Sequence, residues 1–369
     1  MAPEVVDAMI PYMKEHFGNP SSTHTFGRTT KAAIVKARKL IADKLNCAPG
    51  EIIFTSGGTE ADNMAIRCAV RDLGVTRIIT SAIEHHAVLH TAEQVEKYNE
   101  KVKVDLVRLS ENGHVDLDHL KELLKDQQPT LVSLMHGNNE IGNLLPLKEV
   151  SALCREFGAL FHSDTVQTMG HYAFDLKALD IDFVTCAAHK LHGPKGVGFL
   201  YINQKIHLEP MIEGGSQERD MRGGTENLYG IVGLAKAIEL AYEDVEGHQQ
   251  HVQGIKSYMI DSLKEAIPEV HFNGCIESER SLYTVLNVCL PPLAGKETFL
   301  LMMDINGVAA SGGSACSSGS NKGSHVLSAI GADPDRLNVR FSFSRYTTKE
   351  EIDHTIEVLK KVLQPQVVN

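Results

Sequence analysis

A lysine and an aspartate are the first residues of this sequence that could do chemistry. Lys190 lies in a short connection between residues 181–184 and 197–202, two apolar runs that predict core strands. A lysine there is costly to desolvate unless its amine has a function, and a desolvated amine is a competent nucleophile or Schiff-base former. Asp164 ends another apolar run and precedes Lys190 by 26 residues, about one strand–helix–strand unit.

The two residues together suggest a cofactor. A buried carboxylate and a Schiff-base lysine at the ends of neighbouring strands are the pair that pyridoxal phosphate (PLP) requires. The carboxylate keeps the pyridine nitrogen protonated, so that the ring acts as an electron sink, while the lysine holds the aldehyde. Aspartate and lysine are common residues, so a plain surface lysine at a strand end stays an alternative.

A glycine-rich turn before a helix is a candidate phosphate site. Gly57, Gly58 and Thr59 follow a predicted strand, residues 51–55, and precede an apolar-periodic helix. Backbone N–H groups at such a helix start converge on an anion, and the helix dipole favours its negative charge. The alternative is an ordinary strand–helix turn in which Thr59 is the N-cap.

Cys316 lies in a segment, residues 311–325, that consists almost entirely of small residues. This composition predicts a mobile loop. A structural cysteine is usually buried among apolar groups, so we expect Cys316 to be exposed and able to react, as a carrier of sulfur would be. An incidental exposed cysteine is the alternative. The other cysteines stand in apolar contexts that indicate packing: Cys47, Cys68, Cys154, Cys186, Cys275 and Cys289.

Two further side chains could bind ligands. Arg340 interrupts an apolar strand, and its guanidinium matches a substrate carboxylate, although an internal salt bridge is the alternative. His86 and His90 lie four residues apart on a predicted helix, as a metal pair would. No third ligand with plausible spacing follows them, so we expect no metal site.

Length and composition limit the class of protein. The chain has 369 residues, enough for two domains, and its net charge of −11 argues against a general nucleic-acid binder. We find no apolar run of the ~18 residues that a membrane span requires, and the polar start predicts no signal peptide. Seven cysteines without close pairs make no disulfide framework, which indicates a protein of a reducing compartment, the cytoplasm.

The predicted elements alternate between strands and helices, as in an α/β fold. A polar break at residues 243–250 predicts a boundary near residue 245, between a large domain (1–245) and a small domain (246–369). In the small domain we expect strands at residues 283–289, 308–310 and 337–343, with helices at 295–305 and 349–363.

The sequence resembles the cysteine desulfurases, PLP enzymes of fold type I related to class-V aminotransferases. The resemblance is carried by the loop around His189 and Lys190, by the pattern His-x-Asp-x-x-Gln that ends at Gln167, and by Ser314-Ala315-Cys316. It runs from about Pro3 to the last helix. It implies an aspartate-aminotransferase-like α/β fold: a large domain with a mostly parallel seven-stranded sheet between helices, and a smaller C-terminal α+β domain that carries the Cys316 loop.

The resemblance also implies roles for single residues. Lys190 would carry the cofactor, His85 would stack on its ring and move protons, and Arg340 would bind the substrate carboxylate. A loop crossing to the other subunit of an obligate homodimer would bring a threonine to that subunit's phosphate. The cofactor contacts implied are Gly58, Thr59, Asn139, Asp164, Gln167, His189, Lys190 and Thr225, with Asn139 also beside the substrate.

The reaction implied converts L-cysteine to L-alanine. Lys190 or His85 would remove the Cα proton, and Cys316 would take the sulfur as a persulfide for iron–sulfur cluster assembly or tRNA thiolation. The partners implied are a sulfur-acceptor or iron–sulfur scaffold protein, with no direct contact to nucleic acid or membrane. A selenocysteine lyase, another class-V PLP enzyme, or an impaired, partner-binding relative are the alternatives.

Three departures from the family pattern affect these expectations. Ala187 stands where the lysine loop often has a serine, so one phosphate hydroxyl contact is expected to be missing. Relatives usually begin with an additional strand and an Asp-x-x-Ala-Thr-Thr-Pro-like turn, whereas here Met1 falls almost at the first helix. We therefore expect impaired folding or activity, or a misassigned start. The sequence ends at Asn369, without the tail that some relatives use to dock a scaffold protein, which leaves that partner open.

Overall fold

The computed structural model describes residues 1–293, 296–312 and 323–363. It divides into two compact units. The first unit comprises Met1–Arg108, Asp116–His136 and Leu145–Val245, and the second comprises Leu109–Val115, Gly137–Leu144 and Glu246–Asn369. A single domain boundary near residue 245 stays a prediction of the sequence. Such a boundary would place Leu109–Val115 and Gly137–Leu144 in the large domain, whereas they belong to the second unit.

The first unit is built on a seven-stranded sheet, which confirms the predicted mostly parallel sheet. The strand order is β1-β7-β6-β5-β4-β2-β3. β7 runs antiparallel to both of its neighbours, and the other neighbouring pairs are parallel. The strands are β1 Ile52–Thr55, β2 Arg77–Ser81, β3 Lys103–Val107, β4 Thr130–Ser133, β5 Leu160–Asp164, β6 Phe183–Ala187 and β7 Gly198–Ile202.

Helices cover this sheet. Every residue of β1, β2, β4, β6 and β7 is buried, as expected when both faces of a sheet are covered. Apolar residues of the third and fourth helices, such as Met64 and Val88, share one core cluster with Ile78 and Phe183 of the sheet. The helices are α1 Pro3–Lys14, α2 Thr25–Leu45, α3 Gly58–Asp72, α4 His86–Tyr98, α5 Leu117–Leu124, α6 Leu147–Phe157, α7 Leu176–Leu179 and α8 Leu228–Ala241.

The second unit has an antiparallel sheet of order β10-β9-β8. Its strands are β8 His271–Asn273, β9 Val285–Leu290 and β10 Leu337–Ser342. Its helices are α9 Val245–Ala266, α10 Phe299–Ile305, α11 His325–Ala329 and α12 Lys349–Leu363. The α+β composition expected for the C-terminal part is therefore present.

Two predictions for this part of the chain are wrong. Residues 308–310 form no strand, and only the next residue, Ser311, makes an isolated bridge, to Arg340. Within the predicted polar break, residues 245–250 are the start of α9, which is helical because Val252, Ile255 and Met259 repeat every three or four residues on one buried face.

In the described part of the chain, no helix has both the length and the apolar character that crossing a membrane would need.

Candidate active site

Asp164 is the last residue of β5, and only 5% of its surface is exposed. The backbone N–H of Val166 donates to its Oδ1 at 2.8 Å. Burial, followed by the nearby Asp62 carboxyl, raises the pKa of Asp164, while the Val166 N–H, His162 and Lys190 lower it. The charge of Lys190 therefore reaches Asp164, as the sequence predicted for a lysine and a carboxylate at neighbouring strand ends.

Lys190 lies in the connection between β6 and β7, at the end of a short 3-10 turn, Ala188–Lys190. The antiparallel pair Ala187 and Gly198 closes this connection at its base, and Gly193 N–H donates to the Ala188 carbonyl at 2.9 Å. The Lys190 side chain is exposed in this chain. The expectation of a desolvated amine is therefore wrong here, because the turn holds the residue on the surface of its unit. His189, in the same turn, is exposed as well.

His85 lies at the start of α4 and is half-buried. Its Nδ1 accepts the backbone N–H of Ala87 at 3.1 Å, which fixes the ring orientation. Three possible ligand atoms lie within 4.8 Å of one another: one carboxylate oxygen each of Asp62 and Asp164, and one ring nitrogen of His85. The structure thus brings the predicted histidine to the predicted aspartate.

The histidine pair considered for metal binding has a different arrangement. The rings of His86 and His90 stack, with centroids 4.5 Å apart and planes at 24°. Stacked rings direct their nitrogens along their edges rather than toward a common point, which does not favour a shared metal ion.

The glycine-rich turn enters α3 beside the end of β5. Gly57 has φ of 147°, and a Cβ at Gly58 would lie 2.7 Å from Val166 Cγ2, so glycine is required for this close approach. The first N–H groups of a helix have no acceptor within it and are available to an anion. Thr59 is the second residue of the helix, and Gly57 is the N-cap, so the alternative of Thr59 as N-cap is wrong.

Two other predicted residues also lie near the strand ends of the first unit. Gln167 is half-buried in the turn that follows β5, and Ala187 is the buried last residue of β6. Gly58, whose Cβ position would be 3.8 Å from Ala187 Cβ, brings the α3 turn to this strand end. The Gly57–Gly58 turn, the end of β5 and the Lys190 connection therefore meet on one side of the sheet.

Thr225 lies near the start of the Gly57–Gly58 turn. It is exposed and lines a cavity of about 170 Å³ together with Ser56 and Arg222. The Arg222 Nε donates to Glu60 Oε1 at 2.8 Å, and Glu60 Oε2 accepts the N–H of Ser56 at 2.8 Å. Neither Lys190 nor Asp164 lines this cavity.

The second unit contains Asn139 and Arg340. The Arg340 Nη1 donates to the Asn139 carbonyl oxygen at 2.8 Å, and the Asn139 Oδ1 is buried, with no hydrogen-bond partner in the part of the chain that the structure describes. Arg340 is half-buried within β10, opposite Asn287 of β9. Cys316 lies outside the described residues.

Sequence reasoning missed a buried polar network beneath Asp164. It consists of Asp62 on α3, Ser133 on β4, His162 on β5 and Thr185 on β6, all within 1% of complete burial. The sequence does contain a signal, because Asp62 falls among the buried positions Ala61, Ala65 and Ile66 of an apolar-periodic helix. An acidic residue on the core face of a helix needs a specific environment.

Comparisons with known proteins agree with this geometry. The aminotransferase class-V family matches residues 1–355. A cysteine desulfurase IscS of Clostridium botulinum is 43% identical over 367 residues, covering 98% of this chain and 91% of the relative. A cysteine desulfurase IscS of Methanosarcina thermophila is 43% identical over 366 residues, covering 98% and 89%.

Solved structures give the same result. A NifS-like protein superposes with a TM-score of 0.90 at 33% identity, covering 98% of this chain and 96% of the other. SspA in complex with cysteine superposes with a TM-score of 0.80 at 30% identity, covering 94% and 97%. With this coverage by the family and its relatives, the chain belongs to the class-V aminotransferase family and, within it, to the cysteine desulfurases.

Proposed function

We propose that this protein is a PLP-dependent cysteine desulfurase that converts L-cysteine to L-alanine. The observation that carries the proposal is the buried Asp164 at the end of β5, with the charge of Lys190 acting on it and His85 within the same cluster. The named activity of the relatives supports the substrate and the product.

The residues present fit the cofactor. A buried carboxylate suits a pyridine nitrogen, an exposed lysine amine can be reached by an aldehyde, and the open N-terminus of α3 suits a phosphate. Within the described ranges, and apart from Gly57 and its two chain neighbours, no atom lies within 4 Å of the position a Cβ would take at Gly57, so the turn has room for a ligand. PLP, when bound, supplies an electron sink for the carbon chemistry.

Most of the chemistry at the cofactor would be carried out by Lys190, Asp164 and His85. Lys190 would hold the cofactor through its amine and, once released, accept the Cα proton, with His85 as the second proton carrier. Asp164 would face the ring nitrogen. Gly58 and Thr59 would hold the phosphate, while His189, Gln167 and Asn139 would complete the contacts. Ala187 supplies no hydroxyl, and one lost hydrogen bond weakens phosphate binding by about 1 kcal/mol.

Arg340 and Cys316 would handle the substrate. A guanidinium binds a carboxylate through two parallel hydrogen bonds, so Arg340 would clamp the amino acid. The Cys316 thiolate would attack the substrate sulfur. An S–S bond forms as the substrate C–S bond breaks, and the carbon keeps the electron pair and takes up a proton to become the methyl group of alanine.

Three of the described cysteines are poor candidates for the sulfur carrier. Burial, followed by the charges of Glu51 and Asp43, raises the pKa of Cys47 to about 12. Burial likewise raises the pKa of Cys154 to about 12, and that of the fully buried Cys186 well above its usual range. Because the thiolate is the reactive form, these three residues are expected to react slowly, which favours Cys316 over them.

The homodimer is part of the proposal. Phe17 is 76% exposed and stacks on Phe26, 57% exposed, with ring centroids 5.2 Å apart, and Met13 beside them in sequence is 55% exposed. Exposed apolar residues gathered in this way are typical of an interface. Within such a dimer, the exposed Thr225 would contact the phosphate of the other subunit.

The sulfur of Cys316 would pass to an acceptor or scaffold protein for iron–sulfur cluster assembly. A persulfide is lost to disulfide exchange where thiols are oxidised, so this step suits a reducing compartment such as the cytoplasm. The unpaired state of the six described cysteines supports the same location.

The test is sulfide and alanine release from L-cysteine under reductant, with protein reconstituted with PLP. We expect equal amounts of both products from the wild type and none from Lys190→Ala or Cys316→Ala, whereas Cys47→Ser serves as the matched cysteine control. Turnover of selenocysteine but not cysteine would assign the lyase activity instead. A colourless, inactive wild type would contradict the proposal.

A further inference from the structure

Asp62 brings a second buried carboxyl next to Asp164. Asp62 is 1% exposed and Asp164 is 5% exposed, and an oxygen of each lies within 4.8 Å of the other and of a His85 nitrogen. Two carboxylates this close in a low-dielectric interior cannot both be ionised without a cation between them. The protonation state of this pair therefore sets the charge of the candidate site.

The partner of Asp62 on β5 is a neutral histidine. His162 has its Nδ1 at 2.8 Å from Ser133 Oγ and its Nε2 at 3.1 Å from Thr185 Oγ1, and the same Nε2 lies 3.4 Å from Asp62 Oδ1. Complete burial lowers the pKa of His162 to about 4. His162 therefore offers Asp62 no positive charge at neutral pH.

The two carboxyls differ in what surrounds them. Asp164 receives the Val166 N–H at 2.8 Å, and Lys190 adds a positive charge, both of which favour its ionised form. Asp62 has the Thr185 hydroxyl, and its Oδ1 is buried without a hydrogen-bond partner among the described residues. The titratable groups that act on Asp62 and Asp164 from the surrounding elements are Glu84, His85, His162, Cys186 and Lys190.

We propose that Asp62 is a positioning residue that holds the single proton of this carboxyl pair, as a neutral acid, so that Asp164 alone carries the negative charge. Glu84, the other buried acid nearby, has Ser81 and the Met135 N–H as partners, and burial raises its pKa to about 8. Glu84 is therefore neutral as well and adds no charge next to the pair of Asp62 and Asp164.

The consequence for the reaction rests on the proposed function. One negative charge on Asp164, which is slightly more exposed than Asp62 (5% against 1%), would match one protonated ring nitrogen. An ionised Asp62 would raise the pKa of Asp164. The negative charge of the pair would then be shared between the two carboxyl groups instead of lying on Asp164 alone.

Infrared spectroscopy of the full chain without added cofactor tests the proposal. At about pH 6, below the pKa of about 7 that burial gives Asp62, we expect Asp62→Asn to lose one protonated carboxyl band. Asp182→Asn is the matched control, because Asp182 is a buried carboxylate paired with Arg155 and with the Phe161 N–H at 2.7 Å, and it is expected to lose none. Loss of only an ionised carboxylate band from Asp62→Asn would overturn the proposal.

The wild type provides a test that does not depend on the variant folding. With aspartate labelled by carbon-13, protonated aspartate bands separate from that of Glu84, and we expect one such band, not two, at about pH 6, which should vanish as the pH rises through about 7. An aspartate pool that is fully ionised at about pH 6 would overturn the proposal and would indicate an ion pair with protonated His162.

Unfolding provides a readout that a purely structural role would not change. The folded pKa of Asp62 lies above its unfolded value, so the folded state holds one proton more, and the unfolding constant rises up to tenfold per pH unit between about pH 4 and 7. In Asp62→Asn, the pH dependence of the unfolding constant is expected to correspond to one proton fewer. An unchanged pH dependence would contradict the assignment. A band and slope as expected, with no PLP bound, would reject the proposed function alone.

Discussion

Three consecutive non-glycine residues of the loop before Thr225 adopt left-handed backbone conformations. Glu218, Arg219 and Asp220 have φ of 46°, 57° and 65°. Such conformations cost roughly 1–2 kcal/mol per residue for side chains other than glycine. The loop keeps this shape only if another interaction offsets that cost.

That interaction is a buried ion pair between Glu218 and Arg38 of α2. Two hydrogen bonds join the guanidinium and the carboxylate, at 2.6 and 2.7 Å, and the N–H of Phe54 donates to the same carboxylate at 2.9 Å. Arg38 and Glu218 are 8% and 6% exposed. Glu218→Ala would leave a buried guanidinium and a buried N–H without their acceptor, which costs about 3–5 kcal/mol of unfolding free energy.

Urea unfolding of single and double variants measures this effect. Arg38→Met with Glu218→Ala is expected to recover much of the loss, because no unpaired charge then remains. The matched control is Glu239→Ala, which removes a 2.7 Å pair with Lys236 on the exposed face of α8 and is expected to cost no more than about 0.5 kcal/mol. If Glu218→Ala costs no more than this control, the loop is not held by the ion pair and our reasoning is wrong.

Three other predictions follow from single residues. Gly198→Ala places a Cβ 2.2 Å from the Cys186 carbonyl oxygen, and we expect a loss of about 3 kcal/mol or more in thermal or urea unfolding; a stable variant would show that β6 and β7 can separate. Burial lowers the pKa of Lys256 to about 8, so above that pH the unfolded chain holds more protons than the folded chain. The unfolding free energy of the wild type should therefore rise by up to about 1.4 kcal/mol per pH unit from about pH 8 to 10. Lys256→Met is expected to lack this rise. Cys47, with its raised pKa, is expected to react with iodoacetamide at neutral pH far more slowly than Cys316, which mass spectrometry of the two alkylated peptides would check.

The sequence was informative where a short apolar run ends in a functional residue. The runs before Asp164 and Lys190 predicted strands that the structure has at Leu160–Asp164 and Phe183–Ala187, because buried parallel strands are apolar along their whole length. The glycine turn before α3 was visible for the same reason. These local patterns, together with the family motifs, were sufficient for the fold, which the comparisons confirm, whereas the roles of the site residues stay predictions.

Features that depend on distant packing were not predictable. The exposure of Lys190 follows from a turn whose direction no local pattern specifies. The polar start of α9 resembled a linker because its charged residues precede the apolar positions that bury the helix. Asp62 was overlooked because its partners, His162 and Thr185, come from strands about 100 residues later in the chain.

The position of β1 links cofactor binding to the order in which the chain folds. β1, which leads into the Gly57–Gly58 turn, is an edge strand that pairs only with β7, and Thr55 faces Gly198 across 143 residues of sequence. Closing so long a loop is slow compared with forming the β6–β7 pair, whose strands are separated by a short connection. The ribosome must therefore have made β7 before the Gly57–Gly58 turn can join the sheet, and the cofactor that we propose for this site would bind only after this late step. A ligand that binds only the form with the complete sheet stabilises the pairing of β1 with β7. The supply of cofactor would then control what fraction of the newly made chains keeps β1 paired.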